Sequence, residues 1–261
     1  MTRRILEKIG GEGVIELRND WAFNARVEQL PPDGPWRVWL IQSGRGWGKT
    51  RTGAEYINGL AYSGKAKRIA LVARTAADAR DVMVEGESGI MACSKIGQSP
   101  IYEPSKRRVT WPNGAIATTY SADKPEQLRG PQSDAAWCDE LAAWRRWDAW
   151  VQLQMGLRLG SNPRCVVTTT PRPLAQLRRL VKRADVVVVR GSTMDNADNL
   201  SAVYLETIHD EYGGTTLGRQ ELEGELLNEM PGALFSRKLI DDARTAKPAH
   251  FDRVVVAVDP A

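Results

Sequence analysis

Short apolar runs alternate with longer segments of helical periodicity along this chain. Several of the runs are continuous rather than alternating, which is typical of strands buried on both faces of a sheet. The pattern predicts a mostly parallel sheet flanked by helices, and therefore an α/β fold. The predicted strands span residues 38–41, 69–72, 135–138, 165–167 and 186–189, and the predicted helices span residues 50–62, 76–85, 144–159, 174–183, 202–212 and 217–228.

The pattern changes at two places along the chain. Residues 108–120 carry Asn113-Gly114 near their centre, and Asn-Gly between β-rich arms predicts a hairpin. After Arg190 the apolar runs give way to two helical segments. We therefore predict an α/β core at residues 1–195, a small helical lid subdomain at 196–230, a linker at 231–253, and a strand at 254–261 that begins another domain.

The composition is that of a soluble globular protein, with 42% hydrophobic and 26% charged residues. No stretch approaches the ~20 apolar residues that span a bilayer, so we expect no membrane partner. Cys93, Cys138 and Cys165 stand far apart in the sequence, with no CxxC pair and only two histidines in the chain. These features argue against a disulfide framework or a zinc site and fit a reducing cytoplasm.

The formal net charge of +4 is compatible with a polyanionic partner but does not demonstrate one. Each short basic run favours a solvated face over a DNA contact. Most of the tryptophans lie on predicted strands or at helical spacing, where core packing is favoured over base stacking. The basic runs are Lys65, Lys67 and Arg68; Lys106, Arg107 and Arg108; and Arg178, Arg179, Lys182 and Arg183. The tryptophans assigned to the core are Trp36, Trp39, Trp137, Trp144, Trp147 and Trp150.

The most specific motif lies between the first predicted strand and the first predicted helix. Its small residues let the backbone curl so that successive N–H groups point at phosphate oxygens, and the helix start adds its positive dipole end. Lys49 is expected to reach the β- and γ-phosphates of ATP, and the Thr50 hydroxyl to ligate Mg²⁺. The predicted nucleotide-binding residues are Ser43, Gly44, Arg45, Gly46, Trp47, Gly48, Lys49 and Thr50.

Two residues of this loop depart from the usual pattern. Ser43 stands where a glycine is usual, and serine is small enough to be tolerated there. Arg45 adds a positive charge close to the expected phosphates. Two interpretations of Arg45 stay open: it senses or stabilises the γ-phosphate within the same subunit, or it is a surface arginine that points away.

An acidic pair, Asp139 and Glu140, ends the predicted strand at residues 135–138. Asp139 is predicted to hold Mg²⁺, and Glu140 to polarise the attacking water as the catalytic base. Because acids are common at strand ends, this prediction depends on the phosphate loop upstream. The Asp-Glu doublet favours the RecA-like (ASCE) branch of P-loop NTPases, in which the catalytic Glu directly follows the metal-binding Asp.

Three threonines, Thr168, Thr169 and Thr170, end the next predicted strand. Their hydroxyls are candidates for reading the state of the γ-phosphate and coupling it to motion. Threonine is also a favoured strand residue, so a purely structural role stays open.

In their order and spacing, these motifs resemble the ATPase domain of tailed-phage terminase large subunits, over roughly residues 21–261. The resemblance rests on NARVEQLPP before the first strand, GRGWGKTRTGAE at the phosphate loop, WPNGA in the hairpin, EQLRGPQSDAAWCDELAAW around the acidic pair, TTTP, and GRQELEGELL. It implies an ATPase motor that uses ATP and Mg²⁺ to translocate double-stranded DNA into a procapsid, in the cytoplasm of the host cell. It also implies a homo-oligomeric ring at the capsid portal, with a small terminase subunit that selects the DNA.

Further roles follow from the resemblance alone. Gln29 resembles the glutamine that reads the adenine ring, and Arg129 resembles the catalytic arginine finger that a neighbouring subunit inserts into the ATP site. A surface salt bridge remains the alternative for Arg129. Residues 254–260 resemble the first strand of an RNase H-like nuclease domain, with Asp259 as a metal-binding acid. Because the chain ends before the other carboxylates of such a domain, we expect no DNA cleavage by it.

Two other functions stay open on the sequence. One is a different RecA-like nucleic-acid motor, such as a helicase. The other is a non-catalytic remnant that binds nucleotide or capsid partners without turnover, and the presence of Lys49, Asp139 and Glu140 argues against it.

Overall fold

The computed structural model describes residues 20–213, 215–226, 239 and 242–244. The chain divides into two compact units, Met1–Leu227 and Asn228–Ala261, and residues 196–226 belong to the first unit. The predicted linker at 231–253 is described only at residues 239 and 242–244. The predicted strand at 254–260, with Asp259, lies outside the described residues. No helix in the described ranges is long and apolar enough to cross a membrane.

The strands are β1 Val38–Ser43, β2 Arg68–Ala73, β3 Ile101–Glu103, β4 Arg108–Thr110, β5 Ile116–Ser121, β6 Ala135–Asp139, β7 Arg164–Thr169 and β8 Val186–Gly191. They form one sheet in the order β3-β4-β5-β2-β6-β7-β1-β8. The part from β5 to β8 is parallel throughout, whereas β3 and β4 are antiparallel at one edge. The predicted α/β class, its mostly parallel sheet and the hairpin between β4 and β5 are therefore confirmed.

The helices flank this sheet. They are α1 Trp21–Asn24, α2 Lys49–Tyr62, α3 Ala76–Asp78, α4 Asp148–Gly156, α5 Ala175–Val181, α6 Ala202–Tyr212 and α7 Thr216–Glu221, and a π-helical turn at Ala79–Val84 directly follows α3. Short 3₁₀ turns lie at Val27–Gln29, Pro104–Lys106, Pro125–Leu128, Leu141–Ala143 and Thr193–Asn199. The helix predicted at residues 202–212 has these bounds in the structure. The segment predicted as a helix at residues 76–85 is α-helical only over Ala76–Asp78 and continues as the π-helical turn, and the other predicted helices are present with shifted ends.

One of the predicted helices, at residues 144–159, is wrong in extent. The structure has a helix only over Asp148–Gly156, and a 3₁₀ turn at Leu141–Ala143 precedes it. Trp144 has extended backbone angles, and its indole N–H donates to the carbonyl oxygen of Asp139. This hydrogen bond ties the segment to the end of β6 and keeps it out of the helix.

The helix predicted at residues 217–228 is also too long. It ends at Glu221, and the following residues form a turn. Gly224 adopts a φ of +66° in the left-handed region, which interrupts a right-handed helix. A Cβ at Gly224 would lie 2.6 Å from the carbonyl oxygen of Gly191. The close approach of this turn to the sheet therefore explains why the helix stops early.

Alternating side chains of the central strands fill two cores, one on each face of the sheet. On β1, Trp39 and Ile41 belong to one core, and Val38 and Leu40 to the other. Helix α2 covers the first core, and helices α4 and α5 cover the second. Of the tryptophans assigned to the core, all are buried except Trp147, which is half-buried and packs against the second core. The three cysteines are buried and unpaired.

Gly53 is the point at which α2 approaches the sheet. A Cβ at this position would lie 2.3 Å from Cε2 of Trp137, which is fully buried on β6. We expect Gly53→Ala to lower the free energy of unfolding by about 1–3 kcal/mol, as overpacking does in well-packed cores. Gly59→Ala on the same helix is the control, because a Cβ at Gly59 would have no atom within 4 Å. It is expected to raise the free energy of unfolding by about 0.5–1 kcal/mol through helix propensity. Denaturant unfolding measures both, and similar effects of the two variants would contradict this account of the packing.

Candidate functional site

A cleft of about 850 Å³ opens where the strands β1, β2 and β6 end. Its wall includes Gly48 and Lys49 after β1, Arg74 after β2, and Asp139 and Glu140 at the end of β6. Strand β7 lies between β1 and β6 and is parallel to both. The carboxyl ends of these strands therefore bring the predicted phosphate loop and the predicted acidic pair to one cleft, although about ninety residues separate them in the sequence.

The first half of the phosphate loop is held by backbone hydrogen bonds. The amide of Gly44 donates to the carbonyl of Gly191 at 3.0 Å, and the amide of Arg45 donates to the carbonyl of Glu221 at 2.8 Å. Ser43 is the last residue of β1 and is fully buried. This half of the loop is fixed by its own chain and has no free amide to offer a ligand.

The second half of the loop leads into helix α2. Gly48 is the N-cap residue, with a φ of +99°, and has no side chain that could cap the helix. Within the described part of the chain, the amides from Gly46 to Arg51 have no hydrogen-bond acceptor. Unpaired amides at a helix start favour the binding of an anion. The loop thus presents unpaired amides at the place where the sequence predicts phosphate binding.

Trp47 of the same loop has a structural position. Its ring is buried, its indole N–H donates to Asp195 at 3.2 Å, and the guanidinium of Arg26 lies 4.9 Å from the ring centroid. Of the predicted nucleotide-binding residues in the loop, those that line the cleft are Arg45, Gly46, Gly48, Lys49 and Thr50. Ser43, Gly44 and Trp47 support the loop from behind.

Lys49 is nine-tenths buried at the floor of the cleft. Its ammonium donates to the carbonyl oxygens of Ser43 at 3.0 Å and Gly44 at 2.9 Å, and it lies 4.0 Å from a carboxylate oxygen of Glu140. Burial lowers the pKa of Lys49, and the nearby carboxylates Glu140 and Asp139 act in the opposite direction. The positive charge is therefore held between the phosphate loop and the acidic pair.

Asp139 and Glu140 differ sharply in environment. Asp139 is buried, and its carboxylate accepts a hydrogen bond from the Thr168 hydroxyl at 2.7 Å. Burial and the neighbouring charge of Glu140 raise the pKa of Asp139 to about 7. Glu140 has a φ of +47°, in the left-handed region that is unfavourable for a residue with a side chain. Such strain is concentrated at functional sites, and here it belongs to the residue predicted to be the catalytic base.

The three threonines at the end of β7 and directly after it contact the acidic pair and the segment beyond it. Thr168 bonds to Asp139, as described, and also accepts from the indole of Trp137. The Thr169 hydroxyl accepts from the amide of Ala142. Thr170 donates its amide to Glu140 at 3.1 Å. All three are buried. The end of β7 and the residue that follows it are therefore joined by hydrogen bonds to the carboxylates of both acidic residues.

The family model for the N-terminal part of the terminase large subunit, T4likevirus-type, matches residues 40–242, which is most of the chain. The chain belongs to this family. No curated protein matched the sequence.

Solved terminase structures share the fold at low sequence identity. The Thermus Phage P74-26 large terminase ATPase domain is 15% identical with a TM-score of 0.59, and the match covers 83% of this chain and 98% of that one. A large terminase from a thermophilic bacteriophage in complex with ADP is 14% identical with a TM-score of 0.60, covering 82% of this chain and 52% of that one. The HK97 bacteriophage large terminase is 15% identical with a TM-score of 0.58, covering 75% and 47%. The chain thus spans about half the length of the two larger terminases, and the RecA-like P-loop fold class is confirmed.

Arg45 belongs to the phosphate loop, and the sequence left two interpretations of it open. Its side chain lines the cleft and forms an ion pair. Its guanidinium donates to the Glu221 carboxylate at 2.7 Å, while 69% of the side chain is exposed. The hydrogen bond and the negative charge of Glu221 raise the pKa of Arg45. Glu221 belongs to helix α7, so this ion pair links the phosphate loop to the predicted lid.

Gln29 and Arg129 lie outside the cleft lining. Gln29 is buried behind the loop, where its amide nitrogen donates to the Thr52 hydroxyl and its amide oxygen accepts from the backbone of Arg26. Arg129 follows the 3₁₀ turn at Pro125–Leu128, and its only ion pair in the described residues is a 3.5 Å contact with Glu126. Its side chain is 67% exposed, so it is free to meet another molecule.

The sequence did not predict the contacts that join the phosphate loop to the segment after β8. Arg26 donates to the carbonyl of Trp47 and to the side chain of Asn196. Asn196 in turn donates to the carbonyl of Gly46. Arg26 and Glu221 lie within two of the quoted terminase-like stretches, NARVEQLPP and GRQELEGELL, but nothing in those stretches indicated what the side chains contact.

The pKa of Asp139 gives a prediction for stability. Because the folded pKa of about 7 exceeds the value near 3.9 of an unfolded chain, ionisation of Asp139 costs stability as the pH rises from 4 through 7. In the absence of metal and nucleotide, we expect Asp139→Asn to be more stable than the wild type. This advantage should grow by about 2–3 kcal/mol between pH 5 and pH 8, since one pKa unit corresponds to about 1.4 kcal/mol.

Denaturant unfolding at the two pH values, in the presence of a chelator, checks this expectation. Asp198→Asn removes an exposed carboxylate from the Thr193–Asn199 turn and gives the background effect of such a change. An advantage of Asp139→Asn that stays constant with pH, or that appears only at low pH, would contradict the assignment.

Proposed function

We propose that this chain is the ATPase motor domain of a viral terminase large subunit, which hydrolyses ATP to translocate double-stranded DNA into a procapsid. Family membership supports the biological role. The observation that supports the chemistry most strongly is the 4.0 Å contact between Lys49 of the phosphate loop and Glu140 of the acidic pair. This contact puts a phosphate-binding cation and a candidate base in one cleft.

The phosphates of ATP bind to the amides from Gly46 to Arg51 and to the Lys49 ammonium. For Lys49 to reach them, it exchanges the carbonyls of Ser43 and Gly44 for phosphate oxygens, which are stronger acceptors because they are charged. Arg45 senses the γ-phosphate by leaving Glu221. Gln29 reads the adenine, for which its amide has to release the Thr52 hydroxyl.

The residues present fit Mg²⁺. No group of three or more His, Cys, Asp or Glu side chains suited to a metal occurs among the described residues, so no all-protein metal cage is offered there. Mg²⁺ typically uses one or two carboxylates, with waters and substrate phosphates as the other ligands. Asp139 and the Thr50 hydroxyl would hold the ion, which when bound neutralises charge on the phosphates. A buried carboxylate whose pKa is raised to about 7 gains most from such a cation.

Glu140 orients the attacking water and accepts its proton. The hydrogen bond from the Thr170 amide fixes the carboxylate, and the Lys49 ammonium lies 4.0 Å from one of its oxygens. Thr168, Thr169 and Thr170 then couple the state of the site to the sheet, because each is bonded to the acidic pair or to the segment that follows it.

Arg129 completes the site of a neighbouring subunit in a homo-oligomeric ring. Its exposure and its single weak ion pair among the described residues support a role between subunits. The lid at residues 196–230 moves relative to the sheet after hydrolysis, and the ion pair between Arg45 and Glu221 supports this link. The partners are double-stranded DNA, the small terminase subunit and the capsid portal, in the cytoplasm of the host cell.

Steady-state ATP hydrolysis of the wild type and of Lys49→Ala tests the proposed activity. We expect Mg²⁺-dependent turnover in the wild type and its loss in Lys49→Ala, together with weakened nucleotide binding. Turnover that persists in Lys49→Ala would show that another site, or a contaminant, hydrolyses the ATP. Wild-type binding of Mg-ATP without any turnover would favour a non-catalytic nucleotide-binding role.

A further inference from the structure

Arg172 carries the one basic charge of the cleft that has no partner among the described residues. Among the described residues, five basic side chains line the cleft, and the four besides Arg172 are each paired with a carboxylate. The pairs are Arg45 with Glu221, Lys49 with Glu140, Arg51 with Glu55, and Arg74 with Asp78. The Arg172 guanidinium is exposed and makes neither an ion pair nor a hydrogen bond within the described ranges.

The backbone of this segment is fixed. Thr170 is held by its hydrogen bond to Glu140, and Pro171 and Pro173 restrict the chain on both sides of Arg172. Pro171 is itself buried. The carbonyl of Arg172 also accepts from the amide of Leu174 at 2.7 Å. The backbone that carries the Arg172 guanidinium at the cleft is therefore rigid.

The position of Arg172 after β7 indicates which part of a bound nucleotide its guanidinium can contact. Arg172 follows β7, which lies between the strand of the phosphate loop and the strand of the acidic pair. The α- and β-phosphates of a nucleotide belong at the loop amides and the start of α2. The terminal phosphate has to extend from there toward the acidic pair, past the end of β7.

We propose that Arg172 binds the terminal phosphate of ATP in its own chain and thereby distinguishes ATP from ADP. This inference rests on the proposed function and adds a substrate-contacting residue to it. A guanidinium offers several N–H donors in a planar fork that matches phosphate oxygens, and such charged hydrogen bonds are about twice as strong as neutral ones. Arg172 reads the terminal phosphate from within the subunit, while Arg129 is supplied by a neighbour.

Calorimetric titration of the full chain with ATPγS and with ADP, both with Mg²⁺, tests the assignment. We expect Arg172→Ala to weaken ATPγS binding by about 10- to 100-fold, the loss typical of one charged hydrogen-bonding contact. ADP binding should change by less than about threefold, since ADP lacks the group that Arg172 contacts. Arg172→Lys should recover part of the ATPγS affinity because it keeps the charge. Arg108→Ala removes an exposed arginine on β4, outside the cleft, and should leave both affinities unchanged.

Equal losses of ATPγS and ADP affinity in Arg172→Ala, or no loss of either, would overturn the assignment while leaving the proposed function intact. If the wild type binds neither nucleotide, the proposed function fails first and this inference fails with it. Thermal unfolding of each variant identifies a folding defect, and in that case the ratio of the two affinities in Arg172→Lys decides. A ratio of ATPγS to ADP affinity below that of the wild type would support the contact, and a wild-type ratio would contradict it.

Discussion

Glu140→Gln is expected to reduce the steady-state rate of ATP hydrolysis by roughly 10²- to 10⁴-fold, the usual contribution of a positioned general base. The glutamine keeps the size of the side chain and an oxygen that can accept from the Thr170 amide, so the local structure should persist. It cannot accept a proton from water. Nucleotide affinity should remain within a few-fold of the wild type, because the phosphate-binding groups are untouched.

Glu87→Gln is the matched control for this prediction. Glu87 lines the same cleft and is exposed, so the substitution makes the same change of charge away from β6. We expect it to keep at least about half of the wild-type rate. Comparable losses in the two variants would mean that the cleft needs negative charge in general, and a full rate in Glu140→Gln would rule out Glu140 as the base.

Arg129→Ala is expected to lower the rate of hydrolysis by about 10³-fold, within the range attributed to arginine fingers. Its ATP affinity should be close to that of the wild type, because Arg129 does not line the cleft of its own chain. Arg146→Ala is the control, since Arg146 is likewise an exposed arginine in a surface ion pair, with Asp148. That variant should hydrolyse ATP normally.

Mixing the two inactive variants separates a finger in trans from a residue that acts within its own chain. In a mixed assembly, the intact acidic pair of an Arg129→Ala chain can meet the intact finger of a Glu140→Gln chain. We therefore expect equimolar mixing to restore a substantial fraction of the wild-type rate. Failure to restore activity, in mixtures shown to co-assemble, would exclude transfer of Arg129 between subunits.

The sheet and its motifs were predictable because strong local signals marked them. Continuous apolar runs correspond to β1, β2, β6, β7 and β8, and the parallel arrangement then brings Lys49 and Glu140 together without further information. The short β3 escaped prediction because three residues carry little periodicity, and its first residue, Ile101, is largely exposed.

The features that the sequence did not predict depend on tertiary contacts. Hydrophobic periodicity favours a helix beyond Glu221, but the packing of Gly224 against the sheet ends it. The ion pair between Arg45 and Glu221 joins residues 176 positions apart, and no local pattern encodes such a contact. That Arg172 has no partner in the described part of the chain likewise becomes visible only when the contacts of the other cleft cations are known.

The same limit applies to the nucleotide contacts. Resemblance assigned adenine recognition to Gln29, whereas its amide is bonded to Thr52 and Arg26 in the folded chain. Composition and spacing give residue types, but the hydrogen bonds of a buried amide depend on its neighbours in space. The role of Gln29 therefore stays a prediction, and it requires a local rearrangement.

We propose that this chain forms an ATP-hydrolysing motor whose sites are completed by neighbouring subunits. Its most direct test is the steady-state rate of Mg-ATP hydrolysis per chain, measured over a range of protein concentrations with and without double-stranded DNA. We predict turnover whose specific rate rises with protein concentration and rises further with DNA. Absence of turnover at every concentration, despite bound Mg-ATP, would contradict the claim of a motor, and a specific rate independent of concentration and DNA would contradict the shared site.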